Sequence, residues 1–156
     1  MLRAIRFVAQ LNFSIEKETL RAIDEMKPYL AHLSVERIAQ EFEKLLLGQA
    51  SGKALALIAA NNVHSFLPCL KGCQAQIEKI AKLPLTYFKK PRECWTLLLF
   101  YIQSEPKEFL KAWKRPKRTI KHVETLLHAL KQEKSKQWEP YLFYSLGREL
   151  SLSYIT

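Results

Sequence analysis

The chain has 156 residues, 48% of them hydrophobic, which is enough to bury the core of one domain without disulfide or metal staples. Leu, Ala, Lys and Glu dominate, and the four glycines fall in no strand-turn-strand rhythm, so the composition favours helix and argues against an all-β fold. A net charge of +10 argues against a scaffold indifferent to polyanions.

Apolar residues recur at helical spacing almost throughout. Leu2, Ile5, Val8 and Ala9 make the first stripe, with Arg3, Arg6 and Gln10 on other faces and Asn12 as the stop. A second helix is expected over residues 14–27, with Ser14 as its N-cap and Pro28 as its end. Ser34 caps a third, which carries Ile38, Phe42, Leu45 and Leu46 inward and closes at Gly48. Ser51 begins a fourth. Further helices are expected over residues 74–83, 91–103, 106–113, 116–133 and 141–154. Pro91, Pro106 and Pro116 lie in or near first turns, where the missing N–H costs nothing. Connections are short, and neither a repeat nor a low-complexity linker interrupts them. The expectation is an all-α array of about eight helices, with a soft boundary near residue 60 dividing residues 1–60 from residues 61–156.

Charge changes at that boundary. Residues 1–60 hold 8 basic and 7 acidic side chains, whereas residues 61–156 hold 17 and 8, so +9 of the +10 lies in the second part. A basic half on a folded core implies a polyanionic partner, nucleic acid or an anionic membrane surface. The sharpest local signal is residues 107–121, KEFLKAWKRPKRTIK, with seven Lys or Arg against one acid, Glu108. Lys111, Lys114 and Arg115 gather near one helix's C-terminus, and Lys117, Arg118 and Lys121 fall in the first turns of the next. Cations at a helix N-terminus oppose the macrodipole, so local helix stability would not select them. A phosphate ligand would account for them, and a solvated basic face is the plain alternative. Trp113, inside the segment, is either a stacking platform for a sugar or base or an apolar anchor between helices, the anchor being favoured. Lys89, Lys90 and Arg92 could extend the same surface.

No catalytic constellation is visible. Phosphate-binding glycine loops, His-Glu-x-x-His and Gly-x-Ser-x-Gly are all absent, and Asp24 is the only aspartate, against the clustered carboxylates that two-metal phosphoryl transfer needs. His64, Cys69 and Cys73 lack the matching downstream pair of a zinc site, and Cys94 sits in an apolar run, so no metal ligand set is assigned. His122 and His128, six residues apart, fall on different faces of one helix. Three cysteines without an export signal fit a reducing cytoplasm. The longest apolar run, residues 95–102, falls far short of the roughly 18–20 residues that span a bilayer. Glu36, Arg37, Glu41 and Lys44 form a charged ladder in which Arg37 and Glu41, one turn apart, could pair in support of the helix.

Two stretches read together resemble a known family. LRAIRFVAQLNFSIEKETLRAI followed by LSVERIAQEFEKLLLG is similar to the neck of class II CCA-adding tRNA nucleotidyltransferases and their bacterial poly(A) polymerase relatives. The elements that carry it are Leu2-Arg3-Ala4-x-Arg6-Phe7, Leu11-x-Phe13-x-Ile15, Thr19 with Ile23, Ser34-Val35-Glu36-Arg37-Ile38, Glu41-Phe42 and Lys44-Leu45-Leu46. FLKAWKRPKRTI resembles a body element of the same enzymes, and SVERIAQEFEKLL looks more like the CCA-adding type.

The resemblance implies a neck (residues 1–60) and a basic, RNA-facing body (residues 61–156), without the catalytic head and its Mg²⁺ carboxylates and without the tail. It implies that CTP and ATP are substrates of an intact parent, that tRNA is the partner through its acceptor stem, and that the 156 residues alone are inactive. The family's base-reading Glu-Asp-x-x-Arg motif would end just ahead of Met1, which is either a start or an internal methionine. Arg3 and Arg6 would neighbour the nucleotide pocket, with a supporting salt bridge the favoured role for Arg6. Glu36, Arg37 and Glu41 would hold neck helices in register, and Lys111, Lys114, Arg115, Lys117, Arg118 and Lys121 would face RNA. A stand-alone helical protein-interaction module is the alternative of another class.

Overall fold

The structure is a computed structural model that describes residues 1–85 and 88–132. Among these residues it is all helical. The helices are α1 (Leu2–Leu11), α2 (Lys17–Met26), α3 (Val35–Leu46), α4 (Ser51–Ala60), α5 (Gln74–Ala81), α6 (Pro91–Ile102), α7 (Pro106–Ala112) and α8 (Lys117–Gln132). Short 3₁₀ helices at Lys27–His32 and Val63–Phe66 complete the set. The helix expected over residues 141–154 lies outside the described residues.

Local signals placed several boundaries. Asn12 takes the left-handed conformation (φ 55°) that ends α1, and the Ser34 hydroxyl accepts from the Arg37 N–H to cap α3. Pro91 and Pro106 occupy first turns. Ser14 is a correction: α2 begins at Lys17 behind Glu16, and the Ser14 hydroxyl instead accepts from Lys53 Nζ at 3.3 Å. Pro28 does end the α-helical ladder, but the chain carries on as 3₁₀ around it.

Gly48 acts differently from the expected helix closure. The helix stops at Leu46, and Gly48 matters for close approach: a Cβ there would lie 2.7 Å from the Ala9 carbonyl carbon and oxygen. The same carbonyl accepts the Ala50 N–H at 2.7 Å, stitching the α3–α4 turn to α1. Gly52 does the equivalent between α4 and α5, where a Cβ would collide with the Ala81 carbonyl oxygen. Packing continues across residue 60, because α4 lies on α5 and a single buried cluster runs from Leu2 to Leu130.

At the centre stand Phe42 of α3, Trp95 of α6, Phe109 of α7 and Trp113, each 2% exposed or less. Trp113 lies 4.9 Å from Phe42, stacked, and 5.0 Å from Trp95. Such rings combine large apolar burial with offset packing, each pair adding about 0.5–1.5 kcal/mol beyond its area. Trp113 is therefore the anchor between α3 and the body helices, and its face is not available to a base.

Candidate nucleic-acid interface

The basic segment 107–121 is folded around the end of α7. The Lys114 N–H donates to the Lys111 carbonyl and the Arg115 N–H to the Leu110 carbonyl, both at 2.9 Å, with Lys114 left-handed at φ 52°. This is the Schellman arrangement, with lysine in the position where glycine is usual. The turn aims consecutive cations in different directions.

Arg115 points inward. Its Nη1 donates to Glu43 Oε1 at 2.7 Å and its Nε to the Trp113 carbonyl at 3.2 Å, and its side chain is only 11% exposed. The other oxygen of Glu43 accepts from Trp95 Nε1 at 2.8 Å. One carboxylate on α3 thus ties α6 and the α7–α8 corner to the neck. Glu43 was not foreseen from sequence. Its signal is weak: an acid beside Phe42, with Ala39 and Leu46 one turn away, on the edge of a buried stripe. Lys114 reaches the exposed Glu36 at 3.5 Å.

Lys107, Lys111, Lys117, Arg118 and Lys121 are exposed, and none forms an ion pair among the described residues. On α8 the buried face is Ile120, Val123, Leu126, Leu127 and Leu130, which leaves Lys117, Arg118 and Lys121 on the solvent side of its first turns. The α8 first turn contains no acid. Close by, burial and the positive charges of Arg92, Arg118 and Lys90 hold the His122 imidazole below its ordinary value. The 90–92 cluster therefore faces the start of α8.

The neck residues gather elsewhere. Arg6 Nη1 meets Glu41 at 3.1 Å, a 35-residue separation that joins α1 to α3. Glu41 pairs with Arg6 rather than with Arg37 one turn away, because α1 brings the guanidinium to the half-buried side of α3. Arg6 also sits 5.0 Å from the Phe7 ring centroid. Arg3, Arg37 and Glu41 line a cleft of about 290 Å³ whose apolar wall includes Leu2, Tyr29 and Leu33. Among the described residues no group of His, Cys, Asp and Glu could hold a metal, and Asp24 is engaged with Lys27 at 2.6 Å. The carboxylates of the described residues do not cluster as a Mg²⁺ site would require. No described helix is long and apolar enough to cross a membrane.

Residues 12–73 match a family described as "Probable RNA and SrmB- binding site of polymerase A", and residues 86–154 match one described as "tRNA nucleotidyltransferase domain 2 putative". A CCA-adding enzyme of Enterococcus faecalis is 38% identical over 152 residues, covering 96% of this chain and 37% of its own length. The CCA-adding enzyme of Pediococcus pentosaceus is 35% identical over 150 residues, covering 94% of this chain and 38% of its own length. The crystal structure of the Bacillus stearothermophilus CCA-adding enzyme in complex with CTP superposes with a TM-score of 0.84 at 35% identity, over 98% of this chain and 39% of that one. The chain thus spans less than two fifths of the relatives it matches.

Proposed function

Because the chain belongs to the family of CCA-adding enzymes and bacterial poly(A) polymerases, of which it spans the neck and body, we propose that it binds the acceptor arm of tRNA and positions its 3′ end for nucleotide transfer. The observation that supports this reading is the set of exposed cations Lys107, Lys111, Lys117, Arg118 and Lys121 on α7 and the start of α8, none of them in an ion pair among the described residues. Duplex RNA is read largely through phosphates and 2′-hydroxyls, and a rigid cationic surface suffices for that. The neck cleft, with Arg3 and the Arg6–Glu41 pair beside it, would border the nucleotide pocket of an intact parent that uses CTP, ATP and Mg²⁺ in a reducing cytoplasm. Among the described residues no carboxylate group could hold a metal, and the expected outcome is that the chain alone incorporates neither CTP nor ATP.

A tRNA titration of the chain at increasing salt tests this. Affinity should fall linearly on a log–log plot, by roughly 0.7–0.9 of a unit of slope per phosphate contact. Absent or salt-independent binding would sink the reading in favour of a protein-interaction module. The match to a family described by polymerase A favours a poly(A) polymerase as the second reading, whereas the similar relatives carry the CCA-adding name. Offering CTP and ATP separately to the intact parent distinguishes the two.

A further inference from the structure

The fold treats the three cysteines differently. Cys94 is buried in α6, and burial, with the nearby charges of Glu93 and Glu43, drives its thiol far above the ordinary value. It is inert as a nucleophile. Cys69 is exposed and Cys73 half-buried, and both lie in the link from the second 3₁₀ helix to α5.

That link is two successive tight turns sharing one residue. The Leu70 N–H donates to the Leu67 carbonyl at 3.4 Å, and the Cys73 N–H to the Leu70 carbonyl at 3.1 Å. The third positions of the two turns, Cys69 (φ 60°) and Gly72 (φ 82°), are both left-handed, the type II pattern. Leu70 between them is fully buried and pins both turns to the core. The second turn folds the chain back on the first, so Cys73 Sγ lies 3.9 Å from the Cys69 carbonyl oxygen and 3.9 Å from that of Lys71. The Cys73 thiol is raised by burial and further by the charge of Cys69, so the two sulfurs sense each other. A left-handed third position favours glycine or asparagine, and turn stability alone would not select an exposed thiol there.

We propose that Cys69 and Cys73 are a modification site, an oxidisable dithiol that closes to an intramolecular disulfide by exchange with a glutathione-type disulfide. Cys69, the more exposed, gives up its proton and attacks one sulfur of the small disulfide, whose S–S bond breaks and whose other half leaves as a thiolate that takes up a proton. Cys73 then loses its proton and attacks the Cys69 sulfur of the mixed disulfide, expelling the second small thiol. Two protein thiols are oxidised to one disulfide, and one small disulfide is reduced to two thiols. The exposed Cys69 side chain turns about χ1 to meet its partner, while the buried Leu70 holds the two backbones in place. Burial keeps both thiols above their ordinary value, so the pair responds to sustained exchange rather than to a brief oxidant pulse. The bridge would tie the first turn to the second and stiffen the link that leads from the neck into α5.

The test incubates the reduced, folded full chain with excess oxidised glutathione, quenches with acid, and reads the intact mass and a peptide map. The chain should lose two hydrogens and carry no glutathione, with Cys69 and Cys73 joined in one peptide and Cys94 open to alkylation only after unfolding. Dithiothreitol should restore the starting mass. Cys73→Ser removes the second step, so that chain should stop with one glutathione on Cys69. Cys69→Gly, which suits the left-handed backbone and so keeps the turn, should lose the bridge and most of the reaction. Two glutathiones on the unaltered chain would show thiols that react separately and cannot meet, and the proposal would fall. It would fall equally if neither thiol reacted, or if the bridge formed between two chains or to Cys94.

Discussion

The inner and outer halves of the basic corner share a composition and differ in fate. Arg115 is half-buried against Glu43, a residue 72 positions earlier, and acts as an internal fastening between neck and body. Lys117, Arg118 and Lys121, only a few residues later, face solvent on the first turns of α8. The difference is set by where the chain places its acids. Glu36 and Glu43 lie two turns apart on α3, and each takes one cation of the Schellman turn. Charge counting in a window cannot tell a cation that holds the fold together from one presented to a polyanion, since the deciding partner lies outside the window.

The largest effect should come from removing the shared acceptor. Glu43→Leu leaves Arg115 unpaired in a site where the side chains are 11% and 17% exposed, and it strands Trp95 Nε1. Discounted for the residual exposure, the loss should be about 2–4 kcal/mol. It would appear as a lower urea midpoint at unchanged slope. Adding Arg115→Met should recover most of it, since a well-packed apolar replacement of a buried pair is often near neutral. A Glu43→Leu chain as stable as the parent sequence would erase the inner half of the comparison.

Lys117→Ala with Lys121→Ala probes the outer half. These exposed side chains hold no ion pair among the described residues, so stability should move by less than about 0.5 kcal/mol. The tRNA salt slope should flatten by about two units, one for each lost phosphate contact. An unchanged slope would reduce these lysines to a solvated face.

Much of the fold was legible because its signals are local. Ser34, Asn12, Pro91 and Pro106 act within one turn of themselves, and helical spacing gave the correct inward residues of α1 and α3. What stayed hidden depends on distant partners. Ser14 is a good N-cap by type, yet its hydroxyl faces Lys53. Gly48 reads as the close of α3, but the Ala9 backbone is what requires it, as that of Ala81 requires Gly52. At the candidate site the sequence marked the basic segment 107–121 as a unit, without its internal division between Arg115 and the exposed cations. Arg6 is salt-bridged to Glu41, where the charged ladder had offered Arg37 as a possible partner of that acid.

Lys114 stands on the dividing line, exposed and paired with exposed Glu36. Its left-handed backbone costs a non-glycine residue about 1–2 kcal/mol. Lys114→Gly relieves that strain, while the freer unfolded chain and the lost surface pair give part of it back. The net expectation is a gain of about 0.5 kcal/mol, read as a raised urea midpoint. The tRNA slope should stay unchanged if Lys114 belongs with the inner cations, and it should fall by about one unit if it belongs with the outer ones.

The smallest effect concerns Glu36 and separates two causes of one shift. Its carboxyl is held below the ordinary value of 4.5, first by a backbone N–H hydrogen bond at the start of α3 and secondarily by the charge of Lys114. A carboxylate whose folded pKa is depressed adds stability above its unfolded value and loses it as pH falls through the folded one, so the change is confined to the acid side of 4.5. Glu36 is fully exposed, so water and salt leave little of this as global stability, and the titration itself is the better readout. In Lys114→Gly, an NMR titration should still find Glu36 below 4.5, because the helix N-terminus remains. A return to the ordinary value would make Lys114 the main cause and draw the turn's first cation into the inner set, with Arg115.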